Sequence, residues 1–218
     1  MPPMPSDSPV LLSKPQVESI LSKMDDPAAI VCRLAYLTGL RMTEVLRLRV
    51  RDIDIGANRI AARDAEGNLL RRAGLPRAMK KRIQVQLATV RDLHRQEIGK
   101  GFGYVGAPEA TGARASKQSR AWEWQFIFPA PTRWRDRRTG RRGIHHVHGG
   151  DIRRDFTQSA FSAGVSERAT PSCLRHSLAL HLLSDGYAEE AVKKRLGLTS
   201  KRMVLMYRKI LDDGPDLA

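Results

Sequence analysis

Two arginines and a tyrosine, Arg41, Arg175 and Tyr207, have the side-chain types that attack on a phosphodiester requires. Such a reaction uses an attacking oxygen, cations that hold the non-bridging oxygens, and an acid for the departing 5′-oxygen. A tyrosine hydroxyl can supply the attacking oxygen. Arginine suits the second task because its planar fork binds phosphate bidentately and stays charged. Each residue alone is a weak signal, since an arginine in a basic chain is usually solvated and a tyrosine among apolar neighbours usually packs in a core.

The local patterns predict helices that would position these three side chains. Arg41 comes just after a helix-ending glycine, and Glu44 lies three residues further on, able to orient its guanidinium. Arg175 lies in the first turns of a helix that starts at Pro171, where backbone N–H groups also favour an anion. Tyr207 lies on the final predicted helix.

Two longer motifs surround these residues. The pattern T-G-L-R-x-x-E occupies residues 38–44, and T-P-x-x-L-R-H-S-x-A-x-x-L-L-x-x-G occupies residues 170–186. Together with the tyrosine helix they closely resemble the two boxes of the tyrosine recombinase (phage integrase) family. Residues 122–129 and 139–142 and the pair His145-His146 resemble the insertion of integron integrases. The resemblance therefore covers nearly the whole chain after residue 12 and is closest in pattern to that subgroup.

The resemblance implies a catalytic domain that cuts one DNA strand. Tyr207 would attack the scissile phosphate to form a 3′-phosphotyrosyl link while Arg41 and Arg175 grip the phosphate, and His176 would support the second arginine. No metal, nucleotide cofactor or small-molecule substrate would be needed. Members of the family form tetramers on two DNA sites and pass a C-terminal segment, here residues 209–218, to a neighbour.

Three family positions are substituted in this sequence. Glu66 stands where the family has a general-acid lysine on a hairpin turn, Ser172 stands where it has a histidine, and Leu198 stands where it has a histidine or tryptophan. Loss of a general acid alone costs on the order of 10²–10⁴ in rate. Nearby arginines could shift toward the missing lysine, but an arginine is a poor proton donor; they are Arg63, Arg71 and Arg72. We therefore expect impaired cleavage.

Composition and charge indicate a polyanion binder. The 218 residues carry 38 Lys and Arg against 23 Asp and Glu, a net charge of +15, which is typical of proteins that bind nucleic acid. Cys32 and Cys173 lie far apart, so they suggest neither a zinc site nor a disulfide framework. No apolar run approaches the roughly 18 residues of a membrane span, and the first residues do not resemble a signal peptide. We expect a cytoplasmic protein.

The chain is expected to form one mainly helical domain with a small antiparallel β-sheet. Residues 1–12 are predicted to be a disordered lead-in and residues 13–218 the catalytic domain, without the separate DNA-clamping domain that usually precedes it in the family. Helices are predicted after Ser13 and Asp26 and over residues 77–98, 171–184, 188–196 and 200–211, and a flap of at most three strands over residues 50–75.

Residues 99–150 break this pattern and are predicted to be an insertion that contacts DNA. Eight arginines lie between Arg133 and Arg154 among few acidic residues, which favours phosphate contact. The tryptophans Trp122 and Trp124 either stack on unpaired bases or pack within the insertion, while Trp134 is expected to be exposed. We expect the three histidines of the insertion to be exposed rather than metal ligands; they are His145, His146 and His148. The predicted DNA contacts are Arg133, Arg135, Arg137, Arg138, Arg141, Arg142, Trp122 and Trp124.

Three functions remain open from the sequence. The first is a site-specific recombinase that cleaves DNA through Tyr207, and the second is a non-catalytic DNA-binding remnant or regulator derived from an integrase. The third is a basic RNA-binding module, which no RNA-binding motif in the sequence supports.

Overall fold

A computed structural model describes residues 10–106, 118–137, 139–165 and 168–213. The helices there are α1 (Lys14–Ser22), α2 (Ala28–Thr38), α3 (Met42–Leu46), α4 (Lys80–Gly99), α5 (Gly149–Ser162), α6 (Pro171–Ser184), α7 (Glu189–Leu196) and α8 (Lys201–Asp212). The strands are β1 (Ile53–Asp54), β2 (Arg59–Arg63), β3 (Leu69–Gly74), β4 (Pro129–Arg135) and β5 (Arg142–His146). The mainly helical fold with a small antiparallel sheet agrees with the prediction.

The chain divides into two compact units that the sequence did not indicate. The first unit joins the residues up to Arg41 with those from Ile152 onward, and the second runs from Met42 to Asp151. Two distant parts of the sequence therefore build the first unit, while a single continuous segment builds the second.

The first unit is a helical bundle around α6. The predicted capping box starts α1: the Ser13 hydroxyl accepts from the Gln16 backbone N–H, and the Gln16 side chain accepts from the Ser13 N–H at 2.8 Å. Helix α6 is buried along most of its length and packs on α2, α7 and α8. The lead-in was expected to extend to residue 12, but Leu11 and Leu12 are buried, and the Leu12 N–H donates to the Ser177 hydroxyl at 2.8 Å. Apolar side chains thus order the chain before the first helix; residues 1–9 lie outside the described residues.

The second unit contains two antiparallel sheets. The predicted flap is a three-stranded sheet in the order β1-β2-β3, and Ile60 lies opposite Ala73 across β2 and β3. Within residues 99–150, β4 and β5 form a two-stranded ribbon that the sequence pattern did not reveal. Gly143 in β5 lies against the Tyr104 carbonyl, and a Cβ there would come within 1.7 Å of that oxygen, so only glycine fits.

In the described ranges, no helix is both long enough and apolar enough to cross a membrane.

Candidate active site

Helix α6 holds Arg175 and His176 in its first turns. Thr170 precedes the helix in an extended conformation, and its N–H lies 3.4 Å from the Cys173 sulfur. Pro171 occupies the first turn, where its missing N–H has no cost. The buried face of α6 fixes the helix in the unit, so the two side chains are presented from a rigid element.

The Arg175 guanidinium is bound by carbonyl groups at the ends of two other helices. Its Nη1 donates to the Gly39 carbonyl beyond α2, and its Nη2 donates to the carbonyl of Leu196, the last residue of α7. Helix C-termini carry unsatisfied carbonyls and a partial negative charge, which stabilise a cation there. Three helices therefore determine where this guanidinium lies.

Gly39 makes this arrangement possible. It ends α2 in the left-handed conformation with φ of 68°, which glycine adopts without strain. A Cβ at this position would lie 2.8 Å from Leu196 Cδ2. Arg41 follows two residues later and is exposed. Since Arg175 binds the Gly39 carbonyl, the fold brings the two predicted clamp arginines into one neighbourhood of the first unit.

Tyr207 lies on α8 and is bound to His176. Its side chain is 1% exposed, and its hydroxyl is 2.8 Å from His176 Nδ1. Burial raises the pKa of the Tyr207 phenol, and the positive charge of Arg175 opposes that rise. Burial, helped by Arg175, lowers the pKa of His176 below 6.5. At neutral pH both groups are therefore uncharged, and in the tautomer with the proton on Nε2 the phenol donates to Nδ1.

The partner of His176 is thus the tyrosine hydroxyl, a contact that the sequence did not indicate. The family resemblance implied instead that His176 supports Arg175. His176 and Tyr207 are thirty-one positions apart in sequence, so only the packing of α6 against α8 reveals the pair.

The three positions predicted to be substituted relative to the family lie in different surroundings. Ser172 is exposed, and its hydroxyl lies 2.8 Å from the Thr170 hydroxyl. Leu198 is partly buried and packs against the apolar cluster that includes Tyr207. Glu66 is exposed in the turn between β2 and β3 of the second unit.

Two of the three arginines that could shift toward the predicted lysine position are already bound to carboxylates. Arg63 donates to Asp52 Oδ1 at 2.8 Å and to the Gly67 carbonyl at 2.9 Å. Arg71 donates to the buried Glu44 at 2.9 Å. Arg72 is exposed. The ion pairs hold Arg63 and Arg71 where they are, so neither shifts without losing a charged partner.

The predicted DNA-contacting arginines that the structure describes lie on or beside the β4–β5 ribbon, in several environments. Arg133 binds the buried Glu97 through two bonds of 2.7 and 2.5 Å, which fixes β4 on α4. Arg141 and Arg142 lie over the rings of Tyr104 and Phe102, about 5 Å from each centroid. The remaining members are Arg135 and Arg137, which are exposed, and Arg138, which lies outside the described residues.

Two of the three tryptophans, Trp124 and Trp134, differ from the sequence predictions. Trp124 is 4% exposed and has the Arg51 guanidinium 3.7 Å from its ring centroid, so it packs inside the second unit and offers no open face to a base. Trp122 is half-buried beside Arg91 and His94. Trp134 is half-buried rather than exposed, because it flanks the close approach at Gly143.

The histidines of the insertion differ from one another. His145 and His148 are exposed, whereas His146 is half-buried with its ring against Phe126. The parts of the chain that the structure describes contain no group of three or more His, Cys, Asp or Glu side chains placed to hold a metal ion.

The fold is that of tyrosine recombinase catalytic domains. Among solved structures, XerH site-specific recombinase bound to a palindromic difH substrate matches with a TM-score of 0.62 at 15% identity, over 93% of this chain and 50% of that one. The crystal structure of XerA recombinase matches with a TM-score of 0.58 at 20% identity, over 98% of this chain and 67% of that one. At these identities the likeness shows the fold alone.

Sequence comparison shows the family. Residues 11–213 match the phage integrase family, and the chain belongs to it. An "Integrase/recombinase" of Escherichia coli is 30% identical over 206 residues, which are 94% of this chain and 61% of that protein. Tyrosine recombinase XerA of Thermococcus kodakarensis is 23% identical over 212 residues, 96% of this chain and 61% of that protein. The chain thus spans about three fifths of the length of these relatives.

Proposed function

We propose that this protein binds DNA and cleaves one strand through Tyr207, with Arg41 and Arg175 holding the scissile phosphate. The observation that carries the proposal is the hydrogen bond between Tyr207 and His176, next to the Arg175 guanidinium. The proposed nucleophile Tyr207, the neutral base His176 and the cation Arg175 therefore lie close together in the first unit. The product would be a 3′-phosphotyrosyl link, as in site-specific DNA recombination.

The residues divide the reaction between them. As Tyr207 Oη forms the bond to phosphorus, its proton passes to His176 Nδ1, which is free to accept it because the ring is neutral. Arg175 and Arg41 neutralise the charge on the non-bridging oxygens. The departing 5′-oxygen takes a proton from water, since Glu66 stands at the position of the family's acid. Cleavage is for that reason slow in this proposal.

DNA is the proposed partner, and the basic ribbon is its proposed contact. The XerH structures contain difH substrate, and a related Tn1549 integrase was solved with transposon right-end DNA. We propose phosphate contacts from the arginines of the ribbon region and a stacking contact from Trp122. We also propose a homotetramer on DNA through residues 209–218, a cytoplasmic location, and a closer kinship with integron integrases. The proposed arginine contacts are Arg133, Arg135, Arg137, Arg138, Arg141 and Arg142.

A suicide substrate tests the cleavage. Random duplex DNA is first selected for binding to the protein, and the recovered sequence is then nicked near its centre so that a cut strand cannot be rejoined. A covalent protein–DNA adduct is expected with the wild-type chain and not with Tyr207→Phe. Tyr36→Phe, which removes a hydroxyl from the same unit, serves as the matched control and should leave the adduct unchanged. The proposal fails if no selected DNA yields an adduct.

A second candidate function is DNA binding without cleavage. The burial of Tyr207 favours it, because a tyrosine that is 1% exposed reaches a phosphate only after α8 moves. The carboxylate of Glu66 at the predicted lysine position favours it as well. This candidate predicts DNA affinity that falls steeply with salt and is the same in Tyr207→Phe. Filter binding or fluorescence anisotropy at several salt concentrations measures it, and absence of binding at low salt excludes it.

A further inference from the structure

The second unit contains a cleft rich in positive charge, which we call the basic cleft. Its volume is about 160 Å³. The cationic and imidazole side chains that line it come from the stretch after α3, from β2 and from β5. They are Arg47, Arg49, Arg51, Arg63, His145 and His146.

Contacts to the rest of the unit hold several of these guanidinium groups in place. Arg49 donates to the Trp124 carbonyl at 2.7 Å and lies 4.2 Å from the centroid of the Phe126 ring. Arg51 is stacked on Trp124. Arg63 donates to Asp52 and to the Gly67 carbonyl. A ligand that binds here meets cations already oriented, so less conformational entropy is lost on binding.

The two carboxylates in the lining already accept hydrogen bonds from other groups of the unit. Four arginines face two aspartates, Asp52 and Asp64. The Asp52 carboxylate accepts from Arg63 and from the Arg49 backbone N–H at 3.0 Å. Asp64 accepts from the backbone and side chain of Asn68 at 2.8 and 3.0 Å. Positive charge therefore exceeds negative charge in the basic cleft.

The lowered pKa of His146 is consistent with this excess of positive charge. Burial lowers its pKa, the hydrogen bond to the Val147 carbonyl opposes that change, and the neighbouring His145 and the positive charge of Arg47 and Arg49 lower the pKa further. Its Nδ1 lies 2.8 Å from the Val147 carbonyl, which orients the ring. An anion in the cleft would reverse this electrostatic effect.

We propose that the basic cleft binds a phosphate group. Arginine forks match the tetrahedral oxygens of phosphate bidentately, and the cleft is large enough to admit a phosphate together with part of an attached sugar. The group comes either from a DNA backbone or from free phosphate. None of the lining residues takes part in the proposed cleavage, so this site stands whether or not Tyr207 cuts DNA.

Titration of the whole protein tests the site, with the histidine ring resonances followed by NMR at constant ionic strength. Inorganic phosphate and a short duplex DNA are the two probes, and chloride is the reference. Binding is expected to shift the His146 resonances and raise its pKa. Arg47→Gln, at an exposed lining position, should weaken binding about tenfold or more, the value of one charge-assisted contact. Arg59→Gln, an exposed arginine of β2 outside the lining, is the matched control and should bind like the wild type.

The outcomes distinguish a site for free phosphate from a site for a DNA backbone phosphate. A shift with both probes supports a site for phosphate itself, and a shift with DNA alone supports a backbone phosphate. No shift of His146 with either probe, or equal weakening by Arg47→Gln and Arg59→Gln, would overturn the proposal. Arg63→Gln gives a second measurement inside the cleft, and thermal unfolding of each variant shows that it remains folded.

Discussion

At the scale of single residues, the environment of Tyr207 determines how readily its oxygen becomes a nucleophile. Because burial disfavours the phenolate, we expect Tyr207 to ionise above 10, the ordinary value for tyrosine. Ultraviolet difference titration of the wild type against Tyr207→Phe isolates this phenol. An ionisation at or below the ordinary value would contradict the buried arrangement.

The proposed loss of three catalytic side chains predicts variants with increased cleavage. Glu66→Lys places a cation and proton donor at an exposed turn, so it should raise the initial rate of adduct formation on the suicide substrate, by on the order of 10²–10⁴ if the acid is fully effective. The triple variant with Ser172→His and Leu198→His should exceed it, although Leu198→His also places a polar ring in an apolar contact. Glu123→Lys, an equal charge reversal at another exposed site, should leave the rate of adduct formation unchanged.

The backbone conformation of Gly39 affects Arg175, because the Arg175 guanidinium donates to the Gly39 carbonyl. Gly39→Ala forces a side chain into the left-handed region and against Leu196, so we expect a loss of about 1–2 kcal/mol in the free energy of unfolding, more if Leu196 cannot move. Chemical denaturation measures the loss. Gly99→Ala, at a helix end where a Cβ meets no atom within 4 Å, should be neutral or stabilising.

The site was predictable from sequence only in part. Arg41, Arg175 and Tyr207 stand out because motifs and helix signals surround them. The bond from His176 to Tyr207 and the capture of Arg175 by two carbonyls were not predictable, because each depends on contacts between helices far apart in sequence.

At the scale of elements, one ion pair fastens the β4–β5 ribbon to α4. Glu97 is 2% exposed and is bound by Arg133, which lowers the pKa of the carboxyl. Arg133→Met leaves that carboxylate buried without its guanidinium, so we expect a lower free energy of unfolding, moderated because Arg133 itself is partly solvated. Denaturant unfolding of Arg133→Met, Glu97→Met and the double variant measures the coupling. Purely additive losses would show that the pair does not stabilise the ribbon.

The elements also show where sequence patterns succeed and fail. The helices were predictable because capping residues, prolines and glycines mark their ends, and the hydrophobic spacing has a helical period. The ribbon was not, because its strands carry arginines where alternation would show. Its position depends on the approach of Gly143 to Tyr104 and on the pair between Glu97 and Arg133. Neither contact leaves a periodic signal.

At the scale of the whole molecule, burial lowers the pKa of several histidines in both units; they are His94, His146, His176 and His181. The unfolded chain takes up protons near 6.5, whereas the folded chain resists them. The free energy of unfolding should therefore be highest above about pH 6.5 and fall as the pH drops through the lower pKa values that these histidines have in the folded chain.

Denaturant unfolding at about pH 7.5 and about pH 5.5 measures this loss, in a window where most carboxylates stay charged. His181→Gln should reduce the pH dependence, because it removes one of the shifted groups. His148→Gln, at an exposed position, should leave the dependence as it is. Equal stability at the two pH values would contradict the buried, neutral state of these rings.

The division of the chain into an interrupted unit and a continuous one has a consequence for synthesis on the ribosome. The segment from Met42 to Asp151 is complete as soon as it emerges, so it can fold while translation continues. The helical unit must wait, because α6, on which α2 packs, and the helices α7 and α8 are synthesised last. The proposed clamp arginine Arg175 and the proposed nucleophile Tyr207 are thus brought together only after a folded segment already separates the two halves of their unit. Closing that long loop sets the order of folding events.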